Sequence, residues 1–350
     1  MEQDFDEQGY ARRLVELGSD PDQAAEVARR MAETKSKPAA KQVMVSEAEP
    51  KGKPKPKQPK ERPLSVQETK LVEASADIYG NPPTGNDMAF SHAVFCQVGL
   101  PRSKVDGREF LRQSGAAWVN IQAGYLDEGD GPVQQPIPYG ALPRLALAHV
   151  STYAVRFKTR EIPVGDCASQ FLDLMGMDHD GRRYANLRKQ MHALAACRLQ
   201  MGYKGRTFNG QAVEQFDAWL ANKGTNQRLL WPGVMTLSEH FYNSLIDAAV
   251  PLDKRALHAL KGSALALDVY SWLAHRLHRI EGLGVTLRWA SLREQFAQEY
   301  TGKDADKNFK DAFITQLRKV LAEYPQARVK QVRGGLLLLG SPPPIPYKAN

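Results

Sequence analysis

Arg328-Val329-Lys330-Gln331-Val332-Arg333-Gly334-Gly335-Leu336-Leu337-Leu338-Leu339 places two β-prone runs on either side of a Gly-Gly turn. Such a stretch reads as a hairpin, because glycine takes up the positive φ of a tight turn at no steric cost. Working back from it, Phe309, Phe313, Leu317 and Val320 recur at helical spacing and predict a helix ending near Tyr324. The turn Gly302-Lys303-Asp304 precedes that helix, and a shorter helix is expected over Ser291–Tyr300. Before it, Leu283–Arg288 reads as a short strand, and Leu252–Ile280 as a long helix that Gly262 can break.

The same order of elements occurs once earlier, as a repeat of pattern and not of residues. A helix over Pro143–Lys158 carries Leu145, Leu147, Ala148, Val150 and Tyr153. A short helix with Phe171, Leu172 and Leu174 follows Gly165-Asp166, and the turn from Met175 to Gly181 leads into a third helix, Arg182–Cys197. Strands are then expected at Arg198–Tyr203 and Gln227–Thr236, joined by an excursion with a helix near Ala212–Ala221. Three helices followed by a hairpin is the winged-helix order. The expected fold is therefore mainly α with small β wings (α+β), two winged-helix domains in tandem. Ahead of these, Ala93–Val98 and Ala117–Ala123 alternate in the manner of strands.

The second helix of a helix-turn-helix lies in the major groove, so one face must be apolar and the other basic or polar. On a projection of 100° per residue, Leu187, Met191 and Leu194 cluster on one side of the first such helix. Arg182, Asn186 and Lys189 lie opposite, with Arg183, Arg188 and His192 nearby. Between Gly181 and Val213 there are seven Lys and Arg, Lys204 and Arg206 among them, and no Asp or Glu. Arg and Asn also match the hydrogen-bonding edges of guanine and adenine. In the second unit Lys307, Asn308, Thr315, Arg318 and Lys319 face away from the apolar stripe, but Asp304 and Asp311 share their face. Arg333 stands at the hairpin tip, where it can reach a groove or a phosphate, or merely water.

The remaining regions differ in composition. Residues 1–34 carry four Arg against nine carboxylates, a net −5, and read as one or two short helices behind the cap signal Ser19-Asp20-Pro21. Residues 35–64 centre on Lys51-Gly52-Lys53-Pro54-Lys55-Pro56-Lys57, which has no apolar periodicity and is expected to be a disordered basic linker. Domains are then expected at 65–235, with a β extension at its start, and at 236–342, leaving 343–350 as a tail. The chain totals +8 over 350 residues, and its globular part is basic, which favours a polyanionic partner. Three scattered cysteines suit reduced thiols, no run of about 18 apolar residues offers a membrane span, and the acidic start is unlike a secretory signal. A cytoplasmic location is expected, with no membrane partner.

No catalytic, metal or cofactor site emerges. Gly80-Asn81-Pro82-Pro83-Thr84-Gly85-Asn86-Asp87 has the glycine spacing of a phosphate loop, but Asn86 stands where Lys is required. His275 and His278 lack a third ligand nearby in sequence, and Asp178-His179-Asp180 begins like a calcium loop and stops. Tyr153, Tyr184 and Tyr242 have no activating neighbours in sequence.

Several segments resemble the plasmid-encoded RepA family of replication initiators. The most specific run from Val234-Met235-Thr236-Leu237-Ser238-Glu239-His240-Phe241-Tyr242 through Ala249–Asp253 to Leu260–Leu273. Phe95–Pro101, Leu142-Pro143-Arg144 and Phe309-Lys310 share the likeness, which covers about residues 90–340. The resemblance implies a non-enzymatic protein that binds repeated double-stranded sites (iterons) at a plasmid origin, helps open it and recruits the host helicase or its loader. Homodimerisation and association with the plasmid in the bacterial cytoplasm are implied with it. A winged-helix repressor of a promoter, a nicking or priming enzyme and a protein-binding scaffold are the alternatives. Leu237, Phe241, Leu252, Leu265, Leu267, Tyr270 and Leu273 are expected in the core, with Asp268 a buried partner for a nearby donor.

Overall fold

The computed structural model describes residues 7–16, 21–22, 25–26, 28–29, 65–165, 167–175, 177, 181–217, 233–298 and 300–346. The chain divides into two units, 1–64 and 65–350. In the first, helix α1 spans Glu7–Glu16, one of the helices expected there. The cap at Ser19-Asp20 and the basic linker lie outside the described residues.

The second unit is a mixed α+β structure. Helix α2 (Val66–Gly80) starts at a capping box: Ser65 Oγ accepts the Glu68 N–H, and Glu68 Oε2 accepts the Ser65 N–H at 2.8 Å. The Gly80–Asp87 stretch closes in a 3-10 turn and leads into strand β1 (Met88–His92). The next segment corrects the sequence reading. Ala93–Gln97 is a short helix, α3, and not a strand. His92 caps it, its Nδ1 accepting the Val94 N–H at 3.1 Å. A six-residue, mostly apolar stretch fits either state, and here the cap and the packing of Val94 and Cys96 decide.

Strands β2 (Glu109–Ser114) and β3 (Ala117–Gln122) follow, then the ribbon β4 (Tyr125–Asp127) and β5 (Pro132–Gln134). Next come helix α4 (Ala141–Phe157), strand β6 (Glu161–Pro163), helix α5 (Ala168–Leu174) and helix α6 (Gly181–Ala196). Strands β7 (Arg198–Tyr203), β8 (Arg206–Gln211), β9 (Val213–Phe216) and β10 (Val234–Leu237) complete this half. The expected pairing of the segment at 198 with that at 227–236 does not occur. β7 joins an antiparallel sheet of order β2-β3-β7-β8, and β10 lies between β6 and β9. Val213–Phe216 is thus a strand where a helix near Ala212 was expected, and residues 218–232 lie outside the described residues.

Helix α7 (Glu239–Asp247) is capped by Ser238, whose Oγ accepts the Phe241 N–H. The expected long helix is divided. Strand β11 (Ala249–Asp253) pairs with β1, helix α8 covers Lys254–Ala259, and helix α9 (Ala264–Arg276) restarts at the Ser263 cap. The break falls around Gly262, as its composition suggests. Strand β12 (Val285–Arg288), helix α10 (Trp289–Phe296), helix α11 (Ala305–Glu323) and strands β13 (Val329–Val332) and β14 (Gly335–Leu338) end the unit. The last three-stranded sheet has the order β12-β14-β13, the same as β6-β10-β9 when strands are matched by position. Both halves therefore run helix, strand, helix, helix, strand, strand, with β7 and β8 inserted in the first.

One apolar core runs through both halves, and Leu237, Phe241, Leu252, Leu265, Leu267, Tyr270 and Leu273 are all buried in it, as expected. Asp268, on α9, meets Arg144 of α4 in a two-pronged ion pair, Nε–Oδ1 2.7 Å and Nη2–Oδ2 2.9 Å. Arg144 also donates to the carbonyls of Leu100, Pro101 and Gly140. The carboxylate expected to hold a buried donor does so, and it ties α4 of one half to α9 of the other.

Candidate nucleic-acid interface

Helix α6 divides along its length. Ala185, Asn186 and Lys189 are exposed and Arg183, Tyr184 and Arg188 half-buried, whereas every residue from Gln190 to Cys197 is buried. Leu187, Met191 and Leu194 form the inward stripe that the projection anticipates. The accessible polar face is thus confined to the N-terminal half, the part that meets base edges when such a helix lies in a groove. The Arg182 side chain lies outside the described residues.

His192 departs from its expected role. It is buried, packs edge-on to Phe216, and its Nδ1 lies 3.0 Å from Glu128 Oε1. Burial pushes its pKa below the usual value, and the hydrogen bond from His192 in turn lowers that of Glu128. Gln135 donates to the same Glu128 oxygen at 2.7 Å, and Gln190 Oε1 accepts the Tyr139 N–H at 2.7 Å. The ribbon β4–β5 and its flanks therefore hold the C-terminal half of α6, and His192 serves this clamp rather than a surface.

Lys204 and Arg206 are exposed at the tip of the β7–β8 hairpin. Lys204 and Gly205 both have positive φ, 48° and 86°, the requirement of a tight I′-type turn, and Lys204 Nζ stands 5.4 Å from the Tyr203 ring centroid. This tip belongs to the four-stranded sheet and not to the strand pair that follows α6 in the repeated order.

On α11, Phe309, Phe313, Leu317 and Val320 are buried as expected, and Lys307, Asn308, Thr315, Arg318 and Lys319 are exposed. Thr315 Oγ1 donates to the Asp311 carbonyl at 2.8 Å, within its own helix. Asp304, Asp306 and Asp311 share the exposed surface, with Asp306 ion-paired to Arg293 of α10. Lys310, exposed beside Lys307, is not among the contact residues expected from the sequence, although three-residue spacing links the two. Its Nζ lies 5.4 Å from the Trp289 ring centroid. Arg333 is exposed at the β13–β14 tip, where Gly334 has φ 86°. A Cβ on Gly335 would come within 1.9 Å of the Leu287 carbonyl oxygen, so glycine is needed there for β14 to approach β12.

Among the described residues no group of three His, Cys, Asp or Glu is placed to hold a metal ion, and no helix is long and apolar enough to cross a membrane. Cys96 and Cys197 are buried, and burial pushes each thiol up to about 12.

Two crystal structures covering domains 2 and 3 of RctB are similar to this chain. One is 12% identical with a TM-score of 0.46, covering 71% of this chain and 98% of that one. The other is 12% identical with a TM-score of 0.44, covering 70% and 94%. No curated protein matches the sequence. Residues 137–290 match the family model described as plasmid encoded RepA protein, and this bears out the resemblance to the plasmid-encoded RepA family of replication initiators that the sequence carries.

Proposed function

We propose that the chain is a plasmid replication initiator that binds repeated double-stranded sites at its origin through two winged-helix domains, 65–235 and 236–342. The observation that carries this reading is the N-terminal half of α6, where Asn186 and Lys189 are exposed with Arg183 and Arg188 beside them and no carboxylate on the helix. The repeated order of elements supports a second contact through α11, with Arg333 at the tip of its wing. Arg183, Asn186 and Arg188 read base edges in this account. Lys189, Lys204, Arg206, Lys307, Lys319 and Arg333 neutralise phosphate, and Asn308, Thr315 and Arg318 line the second groove. Origin opening, recruitment of the host helicase or its loader, and homodimerisation belong to the same proposal. It assigns no catalytic step and places the protein with its plasmid in the bacterial cytoplasm.

Footprinting of the full chain on its own plasmid's origin at several salt concentrations tests it. Evenly spaced protected repeats are expected, with affinity falling steeply as salt rises because bound phosphates release counterions. Protection of a single promoter palindrome would make the chain a repressor, and absence of protection at low salt would refute DNA binding altogether.

A further inference from the structure

The backbone N–H of Trp289, the first residue of α10, donates to the Gly334 carbonyl at the β13–β14 tip at 3.0 Å. The first half repeats this bond: Val164, just past β6, donates to the carbonyl of Gly233, just before β10, at 2.7 Å. The two positions correspond, since Arg288 pairs with Gly335 and Pro163 with Val234. Closing the strand end on the next strand therefore needs no particular side chain. In the first half the donor is a fully buried valine, whereas Trp289 is only half-buried. The backbone bond does not account for an indole at this place.

The indole faces helix α11. Its ring meets Phe313 edge-on, centroids 6.0 Å apart at 84°, and Lys310 Nζ stands over it at 5.4 Å. An ammonium in that position is held by the negative face of the ring while its donors stay in water. Two further cations are tied to the same residue by the chain itself. Arg288 precedes Trp289, and Arg333 precedes the Gly334 that accepts its N–H. Arg288, Lys310 and Arg333 are exposed, and none has an ion pair among the described residues. Asp306, one turn before Lys310 on α11, is ion-paired to Arg293, and Asp311 lies about 100° round the helix from Lys310.

We propose that Trp289 is the positioning residue of the second DNA contact, holding Arg288, Lys310 and Arg333 as one group that takes the backbone phosphates beside the groove entered by α11. The assignment rests on the reading of α11 and its wing as a DNA contact, and it adds Arg288 and Lys310 to the residues that touch the duplex. Trp289 acts through these cations. A free lysine gives up side-chain freedom when it settles on a phosphate, and the indole removes part of that cost before DNA arrives. The group contributes affinity and salt dependence but no sequence preference, because the phosphates are alike at every base.

Fluorescence anisotropy of the full chain at several salt concentrations tests this, with a labelled duplex carrying its origin repeats and with an unrelated duplex. Lys310→Ala and Arg288→Ala should each lower the slope of log affinity against log salt by about 0.9, on both duplexes alike. Trp289→Ala should lower it by at least as much as Lys310→Ala. The double variant Trp289→Ala/Lys310→Ala should be no weaker than Trp289→Ala alone, because the tryptophan acts through the lysine. Trp289→Phe keeps an aromatic face and should restore most of the slope lost in Trp289→Ala. Thermal melts accompany each variant, and Trp289→Leu, which keeps apolar contact with Phe313 but has no ring face, replaces Trp289→Ala if that variant melts early. Wild-type binding with an unchanged slope in Lys310→Ala would overturn the proposal, as would losses that simply add in the double variant. A Trp289→Phe variant as weak as Trp289→Ala would overturn it too. No binding of either duplex by the wild type would instead refute DNA binding by the chain, and the phosphate group with it.

Discussion

Replacing Arg144 with Met removes the centre of the network between α4 and α9. The arginine spends its donors on five acceptors, two oxygens of Asp268 and the carbonyls of Leu100, Pro101 and Gly140. Both side chains of the pair are less than a tenth exposed. In the variant the other cation beside Asp268 is Arg102, at 4.0 Å, and it is already committed to the Phe296 carbonyl. A buried carboxylate that loses its partner costs about 3–5 kcal/mol, and Arg144→Met should destabilise the protein by that amount. Urea unfolding can be followed through Trp272, which is buried on α9 one turn beyond Asp268 and packs on Phe296. Arg144→Met/Asp268→Leu removes both charges and should recover about 1–3 kcal/mol relative to the sum of the single variants. A single-variant loss under about 1 kcal/mol, or strict additivity, would refute the view that the network bonds the two halves through a desolvated charge pair.

Three further outcomes are expected. Lys189→Ala should weaken binding to all DNA sequences and flatten its salt dependence, whereas Asn186→Ala should cost about 1–3 kcal/mol at one base position, both read by titration at several salt concentrations. Glu323 is buried at the end of α11, and burial raises its carboxyl to about 8 from 4.5. The folded state therefore holds a proton that the unfolded state releases, and stability falls as pH rises from 4.5 to 8. Glu323→Gln should remove that slope, on the order of 2–4 kcal/mol, in melting curves across the window. His92 behaves oppositely. Burial holds it at about 4 against 6.5, so the unfolded state takes up protons first and stability falls as pH drops from 6.5 towards 4. His92→Asn keeps an acceptor for the Val94 N–H and should lessen the acid loss; an unchanged acid slope would exclude His92 as its source.

What the sequence disclosed was local. The stripes of α6 and α11, the Gly334-Gly335 turn, the break at Gly262 and the buried role of Asp268 all follow from spacing or from one residue's chemistry. The errors arose where distant segments decide. Ala93–Gln97 is a helix because a cap and a buried face outweigh alternation that is too short to discriminate. The spacing predicts a first hairpin of Arg198–Tyr203 with Gln227–Thr236, because the first of these strands follows α6 directly. Which strand it pairs with is settled by β3, about eighty residues earlier, and no local pattern records this. His192 lies on the flank of its helix, and only the approach of Glu128 from the β4–β5 ribbon turns that flank into interior.

The pairing of β1 with β11, Met88 opposite Asp253 and His92 opposite Ala249, also bears on the order in which the protein can be made. A nascent chain emerges from its N-terminus, so β1 waits unpaired until more than 150 further residues have left the ribosome. Contacts of such long sequence separation form late and slowly. A product truncated after Leu237 would keep α6 and its exposed cations while leaving the β1 edge open to pair with other chains. Premature termination before Ala249 would thus yield a fragment that carries α6 and an open strand edge, and such a fragment is prone to aggregate.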